Sequence, residues 1–399
     1  MASGSVIRVL VVEDAMPVAL LLQTLLNRQP DLRVVGIAGD GADAVRLTRD
    51  LRPDVITLDV NPPTVGGMEA LRHIMEDMPT PIVVVSTALG SPNDELSFKA
   101  LELGAVAVFG CPPTAGDPRL EAQARELGDL LRAMAGAKLV RRRPASRREA
   151  ALGPLLSSPA LPHVSEPAND LPRVLALAAS TGGPQALATL LADLPANFPL
   201  PVAVVQHISP GFIHGMVEWL NNSIPLHARI ARDGEMLKPG CVLFAPDGYH
   251  LLVERFGPRL MVRLTQSEPV ARHRPSATPL FASVAASCGA HAVGAVMTGM
   301  GADGAGGLAE LFRRGALTLA QEPRSCVIGS MPQAAINARA VAEVVPLAQM
   351  AQRIRLAAVT PVTLRVQTGF ADTRPMGQFD DDAQKQGPDL KQVGPGGNQ

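Results

Sequence analysis

A hydroxyl, an imidazole and a carboxylate stand at the ends of three apolar runs in the second half of this 399-residue sequence. The runs are Leu175-Ala-Leu-Ala-Ala-Ser180-Thr-Gly-Gly-Pro, Val202-Ala-Val-Val-Gln-His207 and Ala295-Val-Met-Thr-Gly-Met-Gly-Ala-Asp303-Gly. Short Val/Ala/Leu runs read as buried parallel strands, and in an open α/β sheet the crevice lies beyond the carboxyl ends of the strands. Three strands would therefore deliver Ser180, His207 and Asp303 to one edge, the inventory of nucleophilic acyl transfer without a cofactor. Ser180 would be the nucleophile, His207 the general base and then acid, and Asp303 the group that orients the protonated imidazole. The backbone amide of Met300 is placed to help form an oxyanion hole.

Each residue also has a plainer reading. Strand–Gly–helix turns cradle phosphate as well, although the Ser180 stretch carries neither GxGxxG nor GxxxxGK[ST]. A lone His at a strand end is commonly structural, and Asp303 also suits an N-cap for a helix over 307–313. The ordinary esterase elbow GxSxG is absent, since Ala178 stands where its first Gly belongs, and the order Ser180, His207, Asp303 differs from Ser, Asp, His.

A second group of polar strand ends lies in the first half. Glu13-Asp14 closes one apolar run, Asp59 closes another and Ser86-Thr87 a third. In a flavodoxin-like order 2-1-3-4-5 those strands are neighbours. Three carboxylates in one crevice repel unless a cation sits among them, and hard oxygen donors suit Mg²⁺. Helix capping is the alternative use of such acids.

The elements that must position these groups follow from periodicity. Strand and helix signals alternate from residue 6 to 134, five βα units of one doubly wound parallel domain. Its expected span as a domain is 6–125. A basic, Pro/Ser/Ala-rich stretch over 135–170, containing Arg141-Arg-Arg-Pro-Ala-Ser-Arg-Arg148, reads as a linker, either simply solvated or able to dock on an acidic surface. Residues 171–357 form a second α/β block with strand signals ending at 179, 206, 245, 297 and 320, and a hairpin around Gly257-Pro258. Residues 358–399 are polar, aperiodic and expected to be disordered. The fold class is thus α/β: a five-stranded parallel domain linked to a second doubly wound, mainly parallel hydrolytic domain.

Composition agrees with aliphatic cores: 47% of residues are hydrophobic but only 3% aromatic, and the formal net charge is −1. That charge gives no global pull toward nucleic acid or anionic membrane, and no helix-turn-helix pattern is evident. Cys111, Cys241, Cys288 and Cys326 lack metal-site spacing. The start of the chain has no signal-peptide layout and no apolar run approaches a membrane span, so a cytoplasmic location without membrane insertion is expected.

The first block resembles a response-regulator receiver domain. The resemblance implies that Asp59 accepts a phosphoryl group from a histidine kinase. Glu13, Asp14, Asp59 and the carbonyl of Asn61 would hold Mg²⁺, and Thr87 would be the hydroxyl that follows the phosphoryl group. Two features depart from that family: Cys111, in Phe109-Gly110-Cys111-Pro112, stands where a Lys is usual, and Asn61-Pro-Pro-Thr-Val-Gly-Gly replaces the usual loop after the acceptor. The second block resembles the chemotaxis-type protein-glutamate methylesterase family, CheB. The match runs through Ser180-Thr-Gly-Gly-Pro, Gln206-His207, Pro239-Gly-Cys-Val-Leu-Phe-Ala-Pro246 with His250, Arg272-His-Arg-Pro-Ser276, Thr298-Gly-Met-Gly-Ala-Asp-Gly304, and Thr318-Leu-Ala-Gln-Glu322 with Cys326 and Met331-Pro332. Thr278-Pro279 departs from it, where Asp-Val is frequent. The resemblance implies hydrolysis of γ-glutamyl methyl esters on chemoreceptors, deamidation of receptor glutamines by the same triad, and control by the phosphorylated receiver. Arg272 and Arg274 are candidates for holding an acidic receptor surface, or solvated loop arginines. A receiver-bearing adaptor with a constitutive or vestigial esterase is the other reading.

Overall fold

The structure is a computed structural model that describes residues 6–60, 66–86, 94–114, 116–135 and 173–360. Asn61, Thr87, the expected linker beyond Ala135 and the expected tail beyond Thr360 lie outside the described residues.

In the first domain, strands β1 (Ile7–Val12), β2 (Leu32–Ala38), β3 (Val55–Leu58), β4 (Ile82–Ser86) and β5 (Ala107–Gly110) alternate with helices α1 (Met16–Asn27), α2 (Gly41–Leu51), α3 (Gly67–Asp77), α4 (Asp94–Leu103) and α5 (Leu120–Ala135). The five-stranded sheet has the order β2-β1-β3-β4-β5 and all its pairings are parallel, as expected. β3 and β4 are buried throughout because helices cover both faces. Helix α5 continues to Ala135, so the expected boundary at 125 falls inside it. Burial decides this: Leu127, Leu130, Leu131 and Met134 all pack into the core beside β1 and β3.

The second domain carries a seven-stranded parallel sheet of order β14-β13-β12-β6-β7-β9-β8. Its strands are β6 (Leu175–Ala179), β7 (Val202–Gln206), β8 (His227–Ile230), β9 (Cys241–Phe244), β12 (Val293–Val296), β13 (Leu317–Gln321) and β14 (Glu343–Val345). Helices α6 (Gly183–Ala192), α7 (Ile213–Asn221), α8 (Ala277–Cys288), α9 (Ala305–Arg313), α10 (Ser330–Asn337) and α11 (Leu347–Val359) cover it. β6 is the switch point: the chain leaves it for β7 on one side and later returns to β12 on the other. The edge strands β8 and β14 were not expected from sequence, because both are short and only partly buried. The hairpin is present as β10 (His250–Phe256) and β11 (Arg259–Thr265), joined by Gly257-Pro258 with Gly257 at φ 60°, the left-handed first position that such a two-residue turn requires. Helix α11 runs to Val359, so the expected tail boundary at 358 falls inside its last turn.

Candidate active site and receiver pocket

The catalytic candidates sit on three adjacent strands, and backbone hydrogen bonds carry the sheet past their ends. Ser180 follows β6 and its amide donates to the Thr298 carbonyl (3.0 Å); His207 follows β7 and its amide donates to the Ala179 carbonyl (2.9 Å). After Ser180 the chain turns through Gly182 at φ 75° directly into α6, with Pro184 in its first turn. Gly183 permits the turn sterically: a Cβ there would lie 2.1 Å from Gln206 Oε1. The Gln206 side-chain amide donates to both the Ser180 (2.8 Å) and His207 (2.7 Å) carbonyls. Ser180 and His207 are therefore tied together through their main chains by a side chain to which the sequence pattern assigned no role.

Asp303 is brought to this edge by the loop between β12 and α9. The cap of α9 is Gly304, at φ 87°, so Asp303 does not serve as the N-cap. Its carboxylate instead meets the start of α8, accepting from Ser276 Oγ (2.6 Å), the Ala277 amide (2.7 Å), Thr278 Oγ1 (2.9 Å) and the Gly304 amide (2.8 Å). It pairs with His207 Nε2 at 2.9 Å. Burial opposes its ionisation, but the bonds from His207 and Ser276, the charge of His207 and the Ala277 amide win and hold its carboxyl well below the usual carboxylate range. A fixed anion among helix N-terminal amides can stabilise an imidazolium without reorganising. His207 Nδ1 is buried and has no hydrogen-bond partner among the described residues, which leaves that nitrogen to exchange a proton.

Thr298 organises the remaining wall. Its hydroxyl donates to the Thr181 carbonyl (2.9 Å) and accepts from the Ile328 amide (3.1 Å), while its amide donates to Gln321 Oε1 (2.9 Å). A Cβ on Gly299 would lie 2.7 Å from Ser180 Cβ, so the Thr298–Met300 segment runs against Ser180. The Met300 amide makes no hydrogen bond within the described residues, whereas those of Gly299 and Gly301 are spent on the Ile328 carbonyl and Ser330 Oγ. The arrangement offers a hydroxyl, an imidazole backed by an anion, and an uncommitted amide at one sheet edge.

Sequence reasoning passed over Gln206, Thr298, Gln321, Ser276 and His273. The available signal was a polar residue closing an otherwise apolar strand, as at Gln206 and Gln321. The exposed Arg272 and Arg274 flank His273; Arg274 donates to the Gln266 carbonyl (2.9 Å), and Arg272 faces Glu126 of α5 electrostatically.

In the first domain Glu13, Asp14 and Asp59 place ligand atoms within 4.8 Å of one another. The Asp59 amide donates to the Val12 carbonyl, which locks β3 to β1 at the pocket. Burial pushes the Glu13 carboxyl up to about 7, against the Ala15 amide and with repulsion from Asp59 and Asp14. Cys111 borders the pocket; burial, then the charges of Glu13 and Asp59, push its thiol up to about 12. It is neutral and supplies no positive charge. Three crowded oxygen donors fit a hard divalent cation.

The two domains pack together. Phe98 of α4 stacks on Trp219 of α7 with centroids 5.8 Å apart, and Trp219 Nε1 donates to Glu102 (2.8 Å). Gln185, in the first turn of α6, donates to the Leu101 and Ala105 carbonyls at the end of α4. The Gly110 amide donates to Ser209 Oγ (3.1 Å), and Val327 and Ile328 pack on the receiver-side core.

Comparison with known proteins matches residues 175–354 to the CheB methylesterase family model and residues 9–110 to the response regulator receiver domain. Protein-glutamate methylesterase/protein-glutamine glutaminase 3 of Anaeromyxobacter dehalogenans is 48% identical over 82% of this chain and 92% of its own length. Protein-glutamate methylesterase/protein-glutamine glutaminase 4 of Myxococcus xanthus is 44% identical over 87% of this chain and 96% of its own. The corresponding protein of Nitrosospira multiformis is 42% identical over 86% and 95%.

Proposed function

The chain belongs to the protein-glutamate methylesterase/protein-glutamine glutaminase family, with a receiver ahead of a CheB methylesterase domain, and on that premise we propose that Ser180, His207 and Asp303 hydrolyse γ-glutamyl methyl esters of chemoreceptors in a chemosensory two-component system. The observation that carries the triad is Asp303, bonded to His207 and held ionised by the start of α8. In the reaction Ser180 Oγ attacks the ester carbonyl, and His207 takes its proton while Asp303 balances the imidazolium. The Met300 amide receives the developing oxyanion. His207 returns the proton to the departing methoxide, so methanol leaves and an acyl-enzyme remains. Water, activated by the same base, then releases glutamate. A side-chain amide follows the same course with ammonia leaving, so glutamine deamidation needs no further group. The Ser180 hydroxyl makes no hydrogen bond to His207 in this structure; such bonds commonly tighten when substrate binds. Arg272 and Arg274 would meet acidic surface around the substrate glutamate.

We infer that the receiver is phosphorylated on Asp59 by a histidine kinase, with Glu13, Asp14, Asp59 and Asn61 holding Mg²⁺, which would supply charge neutralisation to the phosphoryl oxygens. Thr87 would follow the phosphoryl group. Cys111 leaves the family's ammonium contact missing, so more of the response falls on the cation and Thr87. Packing of α4 on α7 and on the first turn of α6, with Glu126 of α5 facing Arg272, supports control by covering the cleft. The site of action would be the cytoplasmic face, where receptor and kinase meet; among the described residues no helix is long and apolar enough to cross a membrane.

Methanol release from membranes carrying methylated receptors tests both halves. Ser180→Ala is expected to lose release with its melting temperature unchanged; retained release would remove Ser180 from its role. Acetyl phosphate with Mg²⁺ is expected to raise the wild-type rate. A ratio near one with real basal release would keep the esterase and make the receiver a docking domain.

A further inference from the structure

The His207 ring is covered by a second imidazole. His273 lies flat on it, with ring centroids 4.1 Å apart and planes within 7°. His273 is carried by a tight turn in which Val270 and His273 exchange backbone hydrogen bonds of 3.1 and 2.9 Å. The two central residues, Ala271 at φ 49° and Arg272 at φ 69°, are both left-handed without being glycine. Such backbone is unfavourable for a residue with a Cβ, and strain of this kind persists where surroundings hold it and clusters at functional sites.

We propose that His273 is a positioning residue for the hydrolysis, a ring that fixes the plane of His207 and keeps water off one of its faces. The inference rests on the triad reading above. Among the described residues His207 has a single side-chain hydrogen bond, through Nε2 to Asp303, and the torsion that sets an imidazole's plane is broad. One hydrogen bond holds a point on the ring; a stacked partner holds its plane, and so the direction of the unpartnered Nδ1. The arrangement requires His273 to remain neutral when His207 becomes an imidazolium. It does so because burial, His207 and Arg272 lower its pKa to about 4, against the opposing pull of Asp303. The charged groups facing the pair are thus Asp303 from the loop before α9 and Arg272 from the turn itself, with Glu126 of α5 facing Arg272.

The test uses full-length protein and membranes bearing methyl-esterified receptors. His273→Ala is expected to lower kcat roughly 10–100-fold with little change in KM. His273→Phe, which keeps a ring but no titrating group, is expected to restore most of kcat. Unchanged kcat in His273→Ala would overturn the inference, as would rescue by Gln instead of Phe. An inactive wild type would instead sink the triad reading. Proton NMR then still decides the stack: the His207 ring protons should lose a ring-current shift in His273→Ala and keep it in His273→Phe, and no change in either would overturn it.

Discussion

At the scale of single residues, the site depends on charges held where water cannot relax them. Asp303 accepts from two side chains and three amides besides His207, so Asp303→Asn breaks more than one contact. It is expected to lower kcat by about 10³–10⁴-fold through loss of imidazolium stabilisation. Stability at pH 7 should fall by about 1–3 kcal/mol, because an amide cannot accept from all these donors; methanol release and chemical denaturation check the two effects. His273 gives a pH signature. Its folded pKa of about 4 lies below the ordinary histidine value of 6.5, so the unfolded chain binds the proton first as pH falls. Stability from this group is complete above about 6.5 and lost toward 4. Melting curves at pH 7.5 and 5 should show a smaller difference for His273→Phe than for wild type. Ser180, His207 and Asp303 were legible because each ends an apolar run. His273 was not, because its role arises from a turn that brings its ring to a strand 66 positions earlier in the chain, 273 against 207.

At the scale of elements, the catalytic edge is built by close approaches that only glycine allows. A Cβ on Gly307 would meet the Thr278 carbonyl at 2.3 Å, so α9 packs backbone to backbone on the first turn of α8, the turn that holds Asp303. Gly307→Ala is expected to cost about 1–3 kcal/mol by overpacking and to lower kcat by separating Asp303 from its donors. An unchanged melting temperature together with unchanged kcat would show that the helices slide without consequence. The long parallel strands and most helices were evident in apolar periodicity. β8 and β14 were not, since a short edge strand with one exposed flank has little pattern to detect. The expected domain boundary at 125 and tail boundary at 358 both fell inside helices, because composition marks where polar sequence begins and not where a helix stops burying its face.

At the scale of the whole molecule, α4 of the receiver grips the catalytic domain at Trp219 and at Gln185, and Gln185 lies in the first turn of the helix that follows Ser180. The receiver also packs on Ile328, one hydrogen bond from Thr298 and two from the Thr181 carbonyl. A change in α4 therefore has short routes to the nucleophile's turn. Glu102→Ala, which removes the Trp219 acceptor, is expected to raise basal methanol release and lower the fold-activation by acetyl phosphate. Unchanged values for both would place the regulatory contact elsewhere. By itself the sequence determined the two parallel sheets, and that Ser180, His207 and Asp303, and separately Glu13, Asp14 and Asp59, stand beyond neighbouring strand ends, because strand burial and strand-end chemistry are written locally, in runs of a few residues. Only the tertiary structure decided that Asp303 is held by the start of α8, that Gln206 ties Ser180 to His207, that His273 lies on the base and that α4 abuts α6 and α7. Those contacts join segments far apart in the chain, and their geometry follows from how helices pack over the sheet, which no local pattern encodes.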